Sequence, residues 1–408
     1  MSNLGLARRI GLTIGALLVV RLGTYIPVPG INPAIWEPLF RQHSGGVLGA
    51  FDALAGGAVG RLSVFALSII PFVTASLLLQ LASIVSPALR ALPRRGESGR
   101  RRLDAYTLVL AIGLGVFQAV GIALALEGVA NIVAEPGMMF RITTVLTLTG
   151  GVIVQVWLAR LITARGIGNG FALILATGIV AALPAAIAGA FELSRQGVLS
   201  TDVLLGCGLL AVALTALVVH MELARRKLEA TFARQGGART IGGRALLQFK
   251  LNSAGMVPTI LASWLLLLPI LAVNMGLPLP DWIMSHLAHG RPVFMILYGL
   301  AIVLCAFFYT AFLLSPEELA QDLQKHGGVI PGVEPGEATA DHIDRVVSRI
   351  NVIGAVYLAF MFLMPEILIA KWSLPFYLGG PSLLIVVCAI LDLKTQFENA
   401  RRKRLEAS

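Results

Sequence analysis

Long stretches without a single Asp, Glu, Lys or Arg dominate the chain. They run over Leu62–Ser86, Ala105–Leu126, Ile142–Ala159, Ile167–Phe191, Val203–Met221, Leu251–Met275, Pro292–Pro316, Ile350–Pro365 and Trp372–Leu391. A helix needs about 20 apolar residues to cross a hydrocarbon core of about 30 Å, so each stretch reads as a membrane span. An earlier window, Ile10–Pro29, carries one charge, Arg21, placed near one end where its head can snorkel to the interface. Arg8 and Arg9 before Ile10–Val20 imitate a signal peptide. No small-x-small cleavage site follows, and this window reads as the first span. The pattern predicts an all-α membrane protein of ten helices, with both termini on one side.

Composition agrees. Of 408 residues 57% are apolar and 13% charged, and the mean hydropathy is +0.83. Soluble domains run about 25% charged, so a chain this poor in charge cannot cover its own surface against water. A soluble enzyme, a disordered tail and a nucleic-acid-binding domain are all excluded. The net charge of +10 therefore gains meaning only from its location. With the N-terminus inside, 25 of the 32 basic residues fall in inside loops. The outside keeps Arg21, Arg41, Arg61, Arg141, Arg195, Arg291 and Lys371. This bias predicts cytoplasmic termini.

Between the first two spans, Ser44–Gly60 reads SGGVLGAFDALAGGAVG. It is apolar, glycine-rich and too short to cross. Two readings stand: an outer loop packed on helix ends, or a short re-entrant helix held weakly enough to move. Short or irregular backbone at membrane depth is tolerated only inside protein or beside a water-filled cavity. Pro71, Pro184 and Pro258 each sit within a predicted span and suggest hinges in the second and seventh.

Catalytic chemistry is missing. Cys207, Cys305 and Cys388 lie far apart in apolar runs and read as small buried hydrophobes. No P-loop is present, and the glycines at Gly56–Gly60 and Gly166–Gly170 begin no βαβ unit. His286 and His289 share a loop with Asp281 and read as surface histidines, so no metal or other cofactor is expected. Within the spans the polar groups are amides and hydroxyls, including Gln80, Gln118, Gln155, Asn252, Asn274 and Asn351, while His220 lies at a cytoplasmic end. An ion-coupled transporter usually keeps a titrating group near the midplane, which disfavours that class. A small-solute secondary transporter built on an inverted repeat nevertheless stays open as the alternative to a channel.

Eight collinear stretches carry a resemblance. They are RLGTYIPVPGI at Arg21–Ile31, GGAVGRLSVFALSIIPFVTAS at Gly56–Ser76, GESGRR at Gly96–Arg101 and GIGNGFALI at Gly166–Ile174. KLNSAGMVPTILAS at Lys250–Ser263, FFYTAF at Phe307–Phe312, KHGGVIPG with PGEATADHIDRV within Lys325–Val346, and FYLGGPSLLIVV at Phe376–Val387 complete the set. In these the chain resembles the SecY family of protein-conducting channels.

The resemblance implies two five-helix halves of inverted topology around an hourglass pore, residues 1–195 and 196–408, hinged at about Glu192–Thr201. It implies a non-catalytic channel that passes unfolded secretory chains and releases hydrophobic segments sideways into the cytoplasmic (inner) membrane of a bacterium. The ring closing the pore would comprise Ile69, Val73, Phe171, Leu175, Val257, Ile260 and Ile385. Ile69/Val73 and Phe171/Leu175 are i,i+4 pairs, each on one helix face. Ser44–Gly60 would be the plug, with Leu48, Phe51, Asp52 and Leu54 in its body, and Thr74, Gln80 and Gln118 would mark the lateral gate. Implied partners are small SecE-like and SecG-like membrane subunits, the SecA ATPase or the ribosome, client signal sequences and the lipid bilayer. Docking would use Arg225, Arg226, Arg234, Arg239, Arg244, Lys325 and Glu334; the positive-inside bias accounts for the arginines equally well.

One departure from the family alters that docking face. PGVEPGE puts Glu334 where the family usually has a basic residue, and SPEE puts Glu317 in the place of an arginine. Seven acids and one lysine lie between Ser315 and Asp344. A divergent or accessory channel with an altered cytoplasmic partner is the expectation.

Overall fold

A computed structural model describes residues 5–43, 46–129, 131–232, 244–274, 280, 291–372 and 380–405. The first eight α-helices are α1 (Leu6–Gly23), α2 (Pro33–His43), α3 (Gly46–Leu54), α4 (Ile70–Val85), α5 (Pro87–Ala91), α6 (Glu97–Glu127), α7 (Met138–Arg165) and α8 (Gly170–Arg195). Then come α9 (Thr201–Leu223), strands β1 (Arg225–Phe232) and β2 (Arg244–Lys250), α10 (Val257–Asn274), α11 (Pro292–Leu313) and α12 (Pro316–Lys325). Strand β3 (Gly328–Val329), α13 (Glu337–Trp372) and α14 (Gly380–Leu405) finish the chain. Ten of these helices fall on the ten predicted spans: α1, α4, α6 to α11, α13 and α14. Seven of the described helices are long and apolar enough to cross a membrane by themselves; α4 and the described part of α10 are shorter.

Two sequence expectations need correction. The second span starts as a helix only at Ile70, because Ala55–Ile69 is a run of turns with positive φ at Leu62 and Ser68. Consequently Pro71 lies in the first turn of α4 and Pro258 in the first turn of α10. There a proline removes no helical hydrogen bond and makes no bend. The prolines inside helices are Pro38, Pro184, Pro269 and Pro365. Several helices also outrun their apolar windows. α6 begins at Glu97 and α13 at Glu337, in both cases well before the uncharged stretch.

The chain divides into two compact units, Met1–Leu204 with Leu374–Tyr377 and Ile385–Ser408, and Leu205–Ser373 with Leu378–Leu384. In the first, α6 presents a buried stripe of small residues, Thr107, Ala111, Gly115, Ala119 and Ala123, spaced four apart. Without water to drive helices together, close backbone approach through such stripes supplies the packing. Helix α7 packs against α6 and answers with Leu148, Val152 and Val156, each at most 2% exposed. The corner between α7 and α8 is tied down by side chains. Ile167 N donates to Thr13 Oγ1 (3.0 Å), Gly168 N to Gln396 Oε1 (2.9 Å), Asn169 N to Asp392 Oδ2 (3.0 Å) and Gly170 N to Thr163 Oγ1 (2.9 Å). These bonds bring the end of α14 into this unit and leave none of the four amides unpaired.

In the second unit, α11 and α13 are joined by an amide. Thr310 Oγ1 donates to Asn351 Oδ1 at 2.8 Å, and Asn351 Nδ2 donates to the Ala306 carbonyl at 3.4 Å. Ser263 of α10 and Tyr298 of α11 share a hydrogen bond of 3.0 Å. Outside the packed faces, Phe117, Trp157, Leu209, Val212 and Ile296 are all exposed, as lipid-facing side chains would be.

Gly151 shows how tightly the irregular segment is held. A Cβ built there would lie 1.9 Å from the Val64 carbonyl, whereas one at Gly150 meets nothing within 4 Å. Gly151→Ala is therefore expected to cost about 1–3 kcal/mol by overpacking and to lower the melting temperature of the detergent-solubilised protein. Gly150→Ala is the control that leaves it unchanged.

Candidate functional site

The turns at Ala55–Ile69 satisfy many of their backbone groups locally and through the segment that follows α1. Val28 N donates to the Leu62 carbonyl (3.0 Å) and Val64 N to that of Ile26 (2.9 Å), around the bridge of Pro27 and Ser63. Trp36 Nε1 donates to the Val59 carbonyl at 3.1 Å. This segment delivers Ile69 to the start of α4, fully buried at 0% exposure. Val73, one turn on, is half-buried. Between them Phe72 stacks on Phe171, the second residue of α8, with ring centroids 4.6 Å apart and planes 11° from parallel. Asn169 caps α8 by accepting from Phe171 N at 3.0 Å, which fixes the direction of Phe171 and Leu175. Phe171 and Leu175 are half-buried, as are Val257 and Ile260 in the first turn of α10, while Ile385 is 8% exposed. Within the first unit, then, it is Phe72, not one of the predicted ring positions, that meets Phe171; Val257 and Ile260 are three residues apart on α10 in the second.

The glycine-rich segment contains a helix, α3, packed on α8. Phe51 is exposed, and Asp52 and Leu54 are half-buried. The side chain of Leu48 lies outside the described residues. Asp52 Oδ1 accepts from Gly60 N at 2.7 Å. Burial pushes its carboxyl above the ordinary range, opposed by the amides of Gly60 and Val59 and by the charge of Arg61. The helix ends against Gly178 of α8, where an added Cβ would stand 2.6 Å from the Leu54 carbonyl. A cavity of about 10 Å³, room for about one water, lies under this end, lined by Arg21, Gly56, Ser68 and Gln155 among others. Gln155 is 2% exposed, and its Oε1 has no hydrogen-bond partner in the protein.

Arg21, expected to snorkel, instead turns to protein. It donates to the Gly56 carbonyl (2.6 Å) and the Tyr25 hydroxyl (2.8 Å). Arg61 donates to the same carbonyl at 2.9 Å and to that of Thr24 at 3.0 Å. Sequence reasoning passed over Arg61, Tyr25, Gln155 and Gly178. The signal for the arginines was present, since both are basic residues on the side that the charge bias leaves poor in them. Farther out, Arg141 of α7 pairs with Glu127 of α6 at 2.7 Å and holds that carboxyl below its usual range. Thr74 and Gln80 lie on α4 and Gln118 on α6, helices that pack together; Gln80 is exposed, and Thr74 and Gln118 are half-buried.

The predicted docking loops fold into a sheet of order β2-β1-β3. β1 and β2 are antiparallel, with Arg225 opposite Lys250 and Thr231 opposite Arg244, and β3 adds Val329 beside Thr231. Alternation turns Leu228, Ala230, Leu247 and Phe249 toward a core shared with Leu323, Ile330, Ile343, Val347 and Ile350. Arg225, Arg226, Lys227 and Lys250 are exposed at one end of this sheet. Arg225 Nη1 donates to Gln248 Oε1 at 3.1 Å. Arg234, Arg239, Asp281, His286 and His289 lie outside the described residues, as does the side chain of Arg244. Glu317, Glu318, Asp322, Glu334, Glu337, Asp341 and Asp344 are all exposed around α12 and the start of α13. Lys325 stands 3.7 Å from Asp322, an exposed pair of small energetic weight.

The SecY family model matches residues 63–394. The chain belongs to the SecY family. It is 40% identical to protein translocase subunit SecY of Escherichia coli K12 over 417 residues, covering 98% of this chain and 94% of that protein. The fold is likewise that of solved channels. A structure described as that of a protein conducting channel matches with a TM-score of 0.66 at 17% identity, covering 99% of this chain and 94% of that one. Sec61 in the canine ribosome-channel complex from the endoplasmic reticulum matches at 0.64 with 16% identity over 99% and 94% of the two chains. Membership in this family leaves the secondary-transporter alternative without support.

The three-stranded sheet depends on its core. Ile343 is 0% exposed, and Ile343→Ala should cost about 2–5 kcal/mol. The expected result is faster cleavage within the β1–β2 hairpin in limited proteolysis of the purified protein.

Proposed function

We propose that this chain is the channel subunit of a protein translocase, passing unfolded polypeptides across the bacterial inner membrane and releasing hydrophobic segments into it. The observation carrying the reading is 40% identity, over 98% of this chain, to a protein of that name; among the described residues the helix interiors are mostly apolar and amide, with Glu366 of α13 a buried acid. Ile69, Val73, Phe171, Leu175, Val257, Ile260 and Ile385 form the constriction. A narrow apolar constriction dewets and so bars ions without a charged gate. Because its contacts are non-directional, a threading chain can displace these side chains and take their place.

α3 with its flanks is the plug. Its glycines and its small packing on α8 make it a low-stability element of the kind that moves. Thr74, Gln80 and Gln118 border the lateral exit. A signal segment leaves through it by partitioning, with each Leu or Ile contributing roughly −0.5 kcal/mol near the bilayer centre. Both termini and the β-sheet face the cytoplasm, as the Lys/Arg bias demands. Energy comes from a motor or a ribosome bound there, with SecE-like and SecG-like subunits beside the channel. The ribosome is the partner in the canine structure this chain resembles. The acid-rich corner at Glu317–Asp344 suits a basic partner surface and disfavours a SecA adapted to a basic one.

A secretory chain stalled in transit should cross-link to cysteines placed at Ile69 or Ile260 and not to one at lipid-facing Phe117. Equal yields at all three sites would sink the pore assignment. On the cytoplasmic side, Glu334→Arg should increase the stimulation of a standard SecA ATPase several-fold. Undiminished stimulation by the unsubstituted channel would remove the altered-partner reading.

A further inference from the structure

Arg21 is the one charge in the first span, and Arg61 stands beside it on the side of the chain that the charge bias leaves poor in basic residues. An arginine at membrane depth is expensive and is kept where it meets a specific partner. Here both meet one atom. Arg21 Nη1 and Arg61 Nη2 reach the carbonyl of Gly56 at 2.6 and 2.9 Å. The two guanidinium groups also sit over the ring of Tyr25, at 4.9 and 4.2 Å from its centroid. Arg21 further contacts Thr24 Oγ1 at 3.4 Å, and Arg61 holds the Thr24 carbonyl at 3.0 Å.

Gly56 lies two residues past Leu54, the last residue of α3. Its φ of +69° turns the chain away from the helix. Gly57 N closes back on the Asp52 carbonyl at 2.8 Å and Gly56 N on that of Ala53 at 3.2 Å. The Gly56 carbonyl thus stands just beyond a helix C-terminus, whose partial negative charge favours cations close by. Two guanidinium groups sharing one acceptor repel each other. The helix end, the ring face of Tyr25 and the half-buried carboxylate of Asp52 offset that repulsion.

We infer that Arg21 and Arg61 form a clamp that positions the plug, holding the C-terminal end of α3 through the Gly56 carbonyl. The inference rests on reading α3 as the plug. Because the acceptor is a backbone carbonyl, the clamp is indifferent to the plug's side chains. It fixes where the plug ends, and the body of the helix is free to vary. Because the two donors share that acceptor and repel each other, each partly substitutes for the other, and the hold is lost only when both are gone.

The test uses the complete channel complex in proteoliposomes, with Cys207, Cys305 and Cys388 replaced and a reporter at Ala55→Cys, a position 7% exposed under the clamp. A membrane-impermeant maleimide measures access to that reporter, and iodide influx measures the seal. Arg21→Met and Arg61→Met should each raise labelling and influx about two- to threefold, because the remaining guanidinium still holds Gly56. The double variant, with neither donor, should raise both about tenfold or more, beyond the product of the single effects. Arg21→Lys, which keeps the charge but lacks the fork needed for Gly56 and Tyr25 together, should fall between the unsubstituted protein and Arg21→Met. Lysine variants at both positions carry the test if the methionine variants fail to assemble. Unchanged labelling and influx in the double variant, or a double variant no different from either single, would overturn the clamp. A channel lacking Gly46–Leu54 should leak whatever stands at Arg21 and Arg61. If it stays sealed, the plug reading itself fails, and the clamp fails with it.

Discussion

In a chain this apolar the governing constraint is the unmet backbone hydrogen bond. Lipid offers no donor or acceptor, so each peptide group at membrane depth must be paired within the protein. Helices meet the requirement by themselves. The run of turns from Ala55 to Ile69 cannot, and the surrounding molecule is arranged to do it instead. Ile26 and Val28 supply a short antiparallel pairing to Leu62 and Val64, Asp52 caps the amide of Gly60, and two arginines take the carbonyl of Gly56. Gly151 leaves the space through which the segment passes. The irregular stretch from Ala55 to Ile69 is thus also a place where charged side chains turn inward to the backbone.

That placement separates two kinds of polarity. Amides and hydroxyls inside the spans join helix to helix, as Asn351 joins α11 and α13. They have no protons to exchange in the physiological range. Most acidic and basic residues lie toward the helix ends, where they anchor turns and caps; Glu366, buried within α13, is an exception. The first turns of α4, α8 and α10, with Val73, Phe171, Val257 and Ile260, carry no Asp, Glu, Lys or Arg of their own. A constriction made of such groups can be wetted or filled by a passing chain, and its recovery depends only on repacking.

The three-stranded sheet follows a different rule. It has a small core of its own, built from alternate residues of β1 and β2 and from the extension of α13 at Ile343, Val347 and Ile350. Water supplies the driving force there. Its surface is consequently available for charge, and the charge is divided. Basic residues collect where β1 and β2 begin and end, and carboxylates surround α12 and the start of α13. The reversal at Glu317 and Glu334 leaves that core untouched and changes only what the surface can attract.

Hydropathy alone determined the ten spans, and the motifs determined the family, because burial in lipid selects composition over long windows and leaves it plain in the chain. The ring positions and the plug segment came from the motifs as well. Tertiary structure decided the rest. It shifted the start of α4 eight residues past the beginning of the apolar window, since a run can be apolar without being helical when neighbours pair its backbone. It made a sheet of loops whose strands are short and interrupted by charge. It brought Arg21 and Arg61 to one carbonyl, although they lie forty residues apart in sequence. Such a meeting depends on where α1, α3 and α8 stand in space, and no local pattern along the chain encodes a distance between remote side chains.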